Sequence, residues 1–407
     1  MKIRRVIPPS ASPIYLNDLF YGVIGLFQGK RYVKRFEDEI RRYFDVRHVF
    51  LVSSGKAAMV LILKALESLM PGKKNVLIPA YTCFSVPSAI VKAGLKVSLC
   101  DINQTTLDFA CELLENSINE ETLCVIPNHL FGIPSDIESI RGICKDKGIF
   151  FVEDAAQAMG VSYKGRKLGT HGDVGFLSLG RGKNITCGSG GIILTNSDSI
   201  GEAINRYYSD IESPDIKDVL KEFFQVVVMS IFVKPALYWL PSGLPHLKLG
   251  ETVFHKDFPI MRFSGMKAGL LRKWRERLEL SNRIREETSI YFRNYLGLNV
   301  LNIKPLPYLR LPVIINSKGL RDRIYANSYK QGLGISLMYP TPVNEIKEIN
   351  EGFTGEVFPV ASKIAERLLA IPTHQFLTEK DKKAICELFE SYENAEGEMK
   401  CEAYNYN

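Results

Sequence analysis

Short apolar runs alternate with segments of helical period along the first two hundred residues. Residues 49–52, 75–79, 96–100, 123–127 and 149–154 have the length and the Val, Ile, Leu and Phe content of buried strands. Between them, residues 57–69, 85–93 and 137–147 repeat apolar positions at three- and four-residue spacing, the pattern of helices with one face on a core. Strands joined by helices of this length predict crossover units and a mainly parallel sheet. A further strand is predicted at 191–196. Residues 200–240 and 265–294 read as long helical stretches, and the chain beyond 300 as shorter strands and helices, including 311–315 and 360–369. The expected architecture is α/β. A large domain spans 1–265, with a mainly parallel sheet flanked by helices and an apolar helical insert at 213–245. A long helix and a smaller α+β domain follow over 266–394, and a polar, frayed tail over 395–407.

Composition narrows the function classes. The chain has 407 residues, enough for a large core without disulfide staples. Its 52 basic and 45 acidic residues give a net charge of +7, and the densest basic clusters, 30–42 and 272–285, interleave acids. Those clusters read as solvated helix faces, so no nucleic-acid partner is expected. None of the eight cysteines forms a Cys-x-x-Cys pair or a zinc spacing, so no metal site is expected and the thiols read as reduced, in a cytoplasmic protein. The first residues, Met-Lys-Ile-Arg-Arg-Val-Ile-Pro-Pro, are too poor in apolar positions for a signal peptide. The apolar run at 223–233 falls short of the ~20 residues of a membrane span, and Lys234 and Pro235 end it. It reads as a buried or partner-facing helix, or as one lying on the inner membrane face, with Tyr238 and Trp239 as interfacial residues.

Three segments that follow predicted strands concentrate the unusual chemistry. The first, Ser53-Ser54-Gly55-Lys56-Ala57-Ala58, opens a helix. Such a start binds a phosphate through backbone N–H groups, or simply caps the helix through a serine. The second, Val152-Glu153-Asp154-Ala155-Ala156-Gln157, ends a strand in an acid able to pair with a cationic ring nitrogen, or to cap the next helix. The third, 175–191, places Lys183 among glycines. A lysine there is a Schiff-base nucleophile if its surroundings lower its pKa, and a plain loop lysine otherwise. Together the three supply the parts that hold pyridoxal 5′-phosphate as an electron sink.

The ordered set of motifs resembles the DegT/StrS-type sugar aminotransferases, in the aspartate-aminotransferase fold (type I of the pyridoxal-phosphate enzymes). The segments that carry the resemblance are 29–39, Ile78-Pro-Ala-Tyr-Thr82, Pro127-Asn-His-Leu-Phe-Gly-Ile-Pro134, Glu153-Asp-Ala-Ala-Gln-Ala158, 172–183, Phe358-Pro-Val-Ala361 and Leu369-Ala-Ile-Pro-Thr-His374. The resemblance implies that Lys183 bonds to the cofactor and moves the proton, that Asp154 faces the pyridine nitrogen, and that Gln157 touches the ring or its hydroxyl. It also implies that Ser178, Gly55, Lys56 and Ala57 hold the phosphate and that Tyr81 or Phe84 stacks on the ring. Several positions depart from the family pattern. Lys56 stands for a threonine and Cys83 for the stacking aromatic. Ser189 replaces an acid, Ile260-Met-Arg-Phe-Ser264 lacks the asparagine that reaches a partner subunit's phosphate, and Met338-Tyr-Pro340 replaces His-Tyr-Pro. The implied activity is transfer of an amino group from an amino acid, L-glutamate, to a nucleotide-linked keto sugar in glycan synthesis, by a homodimer. Two alternatives are a non-catalytic cofactor- or sugar-binding protein, motivated by the departures, and a sugar dehydratase, which would carry histidine in place of Lys183.

Overall fold

The structure, a computed structural model, describes residues 5–244, 252–296 and 305–396. Its strands are β1 (His48–Val52), β2 (Asn75–Pro79), β3 (Lys96–Cys100), β4 (Thr122–Val125), β5 (Phe150–Asp154), β6 (Ser162–Tyr163), β7 (Arg166–Lys167), β8 (Val174–Ser178), β9 (Gly191–Thr195), β10 (Arg310–Ile314) and β11 (Leu368–Pro372). The helices begin with α1 (Leu16–Phe27), α2 (Gly29–Phe44), α3 (Gly55–Leu69), α4 (Ser85–Ala93), α5 (Cys111–Leu114), α6 (Ile137–Lys147) and α7 (Asp198–Asp210). They continue with α8 (Ile216–Phe232), α9 (Trp239–Ser242), α10 (Gly265–Leu270), α11 (Trp274–Tyr295), α12 (Lys318–Gln331), α13 (Pro359–Arg367) and α14 (Glu379–Glu396).

Seven strands form one sheet in the order β1-β9-β8-β5-β4-β2-β3. Pairs β8–β5, β5–β4, β4–β2 and β2–β3 are parallel, and β9 runs antiparallel to both neighbours. The sheet is therefore mainly parallel, as the alternation predicts. β2, β4 and β9 are buried at every position, which is why they read as continuous apolar runs. β10 and β11 pair in a small second sheet. One apolar cluster joins Val76, Ile78 and α3 to Leu311, Val313 and Leu369 of that sheet.

The long helical stretches are interrupted. Between α7 and α8 the chain is irregular around Pro214, and α8 ends at Phe232, shortly before Pro235. The stretch at 265–294 divides into α10 and α11. The Arg277 guanidinium donates to the Leu270 carbonyl at 2.8 Å, supplying a partner at the end of α10. Close approach through glycine seats α1 and the start of α2 on α10: a β-carbon at Gly25 would lie 2.2 Å from the Gly265 oxygen, and one at Gly265 would lie 2.5 Å from the Gly25 oxygen and 2.1 Å from the Gly29 Cα. α14 runs to Glu396, so most of the predicted tail lies outside the described residues.

Candidate active site

Six of the seven strands point the same way, so their carboxyl ends meet at one edge, where open α/β sheets bind ligands. β1 delivers Ser54 and Gly55 there, β5 delivers Asp154, and β8 delivers Ser178 and the loop to Lys183. The order β1-β9-β8-β5 sets these three ends side by side.

At the first end, the Ser54 hydroxyl accepts the Ala57 N–H at 3.1 Å and caps α3. That N–H is thus already engaged. Gly55 is the contact with the second end: a β-carbon on it would lie 3.2 Å from the Ser178 Cβ and 3.3 Å from its Oγ. The Ser178 hydroxyl accepts the Gly180 N–H at 3.3 Å and is half-buried. Lys56 turns to the Phe258 ring, its Nζ 4.3 Å from the centroid, and burial lowers its pKa.

Asp154 is buried, and its Oδ1 accepts the Ala156 N–H at 2.9 Å. Burial raises its pKa, while that hydrogen bond and the charge of Lys183 oppose the rise. For Lys183, burial lowers the pKa, Cys83 and Asp154 oppose, and the Arg310 cation adds to the lowering. A lysine less firmly protonated than usual, with a carboxylate within charge range, has the character of a Schiff-base nucleophile.

Lys183 opens into a cavity of about 790 Å³. Gln157 shares that wall: its Oε1 accepts the Phe131 N–H at 3.2 Å, and its Nε2 donates to the Tyr339 hydroxyl at 3.0 Å. Phe131 and Met338 hold φ of +59° without being glycine, and both contact site residues, a place where backbone strain collects. The tether Ser10 Oγ to the Gly182 carbonyl, 2.6 Å, brings the N-terminal segment against the lysine loop. α8 and α9 close the far side with Phe224, Val228, Phe232 and Leu240.

Below Asp154, Glu153 is a buried hub. Its carboxylate accepts the N–H groups of Gly169 at 2.5 Å, His171 at 2.6 Å and Gly172 at 3.1 Å, and faces His129 Nε2 at 2.8 Å. The Ser135 N–H donates to His129 Nδ1 at 3.1 Å, which leaves Nε2 to donate to Glu153. Burial raises the Glu153 pKa, but these bonds and His129 hold it below the usual carboxylate range.

Of the residues expected at the site, Gln157 and Lys183 line the cavity, Asp154 acts on the lysine, and Gly55 abuts Ser178 beside it. Asp154, Gly55 and Ser178 do not line the cavity, nor do Lys56, Ala57, Tyr81 and Phe84. Tyr81 is fully buried with its ring 5.4 Å from that of Tyr339, and Phe84 stacks on the same ring at 6.5 Å. The cavity is instead faced by Cys83, Tyr339 and Arg310. The altered Met338-Tyr339-Pro340 segment was a signal for Tyr339. Arg310 lies in an ordinary-looking strand and gave none.

An amine of lowered pKa that lines a cavity, a buried acid whose charge bears on it, and a glycine–serine junction at a helix start fit pyridoxal phosphate. Fold and site together define the class, that of type I pyridoxal-phosphate enzymes. The chain belongs to the DegT/DnrJ/EryC1/StrS aminotransferase family, whose model matches residues 25–213 and 261–390, and its cofactor is pyridoxal phosphate. It is 35% identical over 186 residues to a GDP-perosamine synthase of Vibrio cholerae, spanning 46% of this chain and half of that relative. It is 28% identical over 358 residues to an uncharacterized protein of Methanocaldococcus jannaschii, spanning 85% of this chain and 86% of that one. The solved structure of Helicobacter pylori PseC, an aminotransferase involved in the biosynthesis of pseudoaminic acid, has the same fold at a TM-score of 0.77 and 15% identity, covering 96% of this chain and all of that one.

Proposed function

We propose that this protein is a pyridoxal-phosphate aminotransferase that takes the amino group of L-glutamate and passes it to a nucleotide-linked keto sugar in glycan synthesis. The observation that carries the reading is Lys183, which opens into the cavity with Asp154 in charge range behind it. When bound, the cofactor supplies an electron sink for the substrate carbon. Lys183 Nζ takes and returns the proton there. Asp154, as a carboxylate, balances a protonated ring nitrogen. Gln157 and Tyr339 fix one wall. Donor and acceptor use the cavity in turn, a ping-pong sequence. The GDP-sugar in the name of the Vibrio cholerae relative supports the nucleotide carrier.

The test is the visible spectrum of the purified protein before and after L-glutamate. The expected result is a yellow band that bleaches with glutamate and is absent from Lys183→Ala. A colourless protein that takes up no added cofactor would overturn the reading and favour a non-catalytic binding role.

The reading includes a homodimer in the cytoplasm and a peripheral membrane contact through residues 223–240. No helix among the described residues is long and apolar enough to cross a membrane. The membrane contact is supported by the apolar residues that α8 leaves exposed away from the cavity, Ile216, Leu220 and Ile231.

A further inference from the structure

Arg310 opens β10, and its side chain lines the same cavity as Lys183, Gln157 and Tyr339. Its Nε is shielded from solvent and has no hydrogen-bond partner among the described residues. Its Nη1 meets the Met338 thioether, a weak acceptor. The groups whose charge bears most on it are Tyr339, Tyr238 and Cys83, none of them a carboxylate. Lys183 and Arg285 are close enough for their positive charges to bear on it. Arg285 is committed elsewhere: its guanidinium donates to the carbonyls of Leu309 at 2.7 Å and Ala11 at 2.9 Å. Among the described residues, the acid whose charge bears on this corner is Asp154, and it acts on Lys183.

A buried guanidinium without an acid is costly, and the cost is relieved by a planar oxyanion that accepts from its fork. Resting on the aminotransferase reading, we infer that Arg310 is the anion anchor of the substrate cavity and takes the α-carboxylate of the amino donor. The chemistry favours a carboxylate over a phosphate here. In an α-amino acid the carboxylate sits on the carbon that bears the reacting amine, so it must bind within a few ångströms of Lys183. Arg310 is the one arginine besides rim-exposed Arg181 among the residues lining that cavity. A phosphate of the cofactor has its own place at the Gly55–Ser178 junction, and that of a nucleotide carrier lies a whole sugar ring from the reacting carbon. Met338 packs against the guanidinium, and Leu309, next to it in sequence, is fixed by Arg285, so the fork is held before the donor arrives.

The experiment uses the cofactor-loaded protein, Arg310→Gln and Arg310→Lys. Two ligands are titrated by calorimetry: glutarate, a dicarboxylate with no amine to react, and inorganic pyrophosphate. L-Glutamate is titrated by bleaching of the cofactor band. In Arg310→Gln the expected result is an unchanged cofactor band, with glutarate affinity and glutamate half-saturation each weakened about a hundredfold. Arg310→Lys should recover part of this, because it keeps the charge and loses the fork. Pyrophosphate binding should change little. Glutarate and glutamate within twofold of the wild type would overturn the assignment, as would a loss confined to pyrophosphate, which would mark a phosphate site. Should Arg310→Gln fail to fold, Arg310→Lys decides by the same glutarate criterion. A wild type that binds glutarate through Arg310 but never responds to glutamate would sink the aminotransferase reading and leave the anchor standing.

Discussion

Tyr339 couples the small sheet to the cofactor wall through a single hydroxyl. Its oxygen takes the Gln157 amide at 3.0 Å, and Gln157 in turn accepts the Phe131 N–H. Tyr339→Phe leaves the ring in place and removes one partner of a buried amide, worth about 1 kcal/mol. Cofactor dissociation followed by dialysis and absorbance should be about fivefold faster, with little change in melting temperature. Asp108 makes a second residue-level prediction. It is buried, its Oδ1 accepts the Asn128 N–H at 3.3 Å, and its Oδ2 has no hydrogen-bond partner among the described residues. Burial pushes its pKa up to about 6 from an ordinary 3.8. A folded pKa above the unfolded one means that stability is present below about pH 4, falls as pH rises to about 6, and stays reduced above that. Asp108→Asn keeps the acceptor for Asn128 and removes the buried charge. It should add about 1–3 kcal/mol at pH 7.5 and nothing at pH 4, read by denaturant unfolding at the two pH values. Lys183, Asp154 and Gln157 were legible because each lies within a few residues of a strand end whose sequence announces it. The stacking aromatic was not. Residues 81–84 are local to β2, but which of them faces the cavity depends on Tyr339, more than 250 residues later, filling the space against Tyr81 and Phe84. Arg310 was hidden for the same reason, since only tertiary placement brings β10 to the lysine loop.

Element by element, β2 and β4 were readable because burial at every position keeps their runs largely apolar. The direction of β9 was not, since an antiparallel strand inside a covered sheet carries the same apolar pattern. Helix breaks were also hidden. α10 stops at Leu270 because Arg277, one helical turn into the next element, supplies a partner for its last carbonyl. The α1–α10 contact shows what glycine spacing encodes. Gly25 and Gly265 meet with no room for a side chain, and Gly269 would press a β-carbon to 2.1 Å from the Tyr21 oxygen. Gly265→Ala must push the two helices apart and should destabilise the protein by about 2–4 kcal/mol. Thermal unfolding checks this. Gly319→Ala, at a position where nothing lies within 4 Å of the added carbon, is the control and should be close to neutral.

On the scale of the whole molecule, two apolar faces stand side by side. α1 exposes Leu16, Phe20, Val23 and Phe27, the first and last 85% accessible, and α8 exposes Ile216, Leu220, Phe224 and Ile231. A β-carbon at Gly22 of α1 would lie 3.2 Å from the Phe223 ring of α8, so the faces adjoin. Glu222 ties α8 to the body through Lys267 at 2.9 Å, which fixes the inner face and leaves the outer one apolar. α8 and most of α1 fall outside the segments matched by the family model. Apolar surface of this extent on one side of a protein marks an interaction face. The exposed Lys217, Lys221 and Lys234 along α8 favour an anionic membrane, each contributing about 1 kcal/mol near such a surface. The protein should therefore float with vesicles of phosphatidylglycerol and phosphatidylethanolamine, and not with phosphatidylcholine alone. Leu220→Ser with Ile231→Ser removes two large side chains that do not line the cavity, and should abolish flotation while leaving the oligomeric mass in solution unchanged. A wild type that stays with the protein fraction in anionic vesicles would sink the membrane contact. A variant that drops to half the mass would assign the same face to the partner subunit.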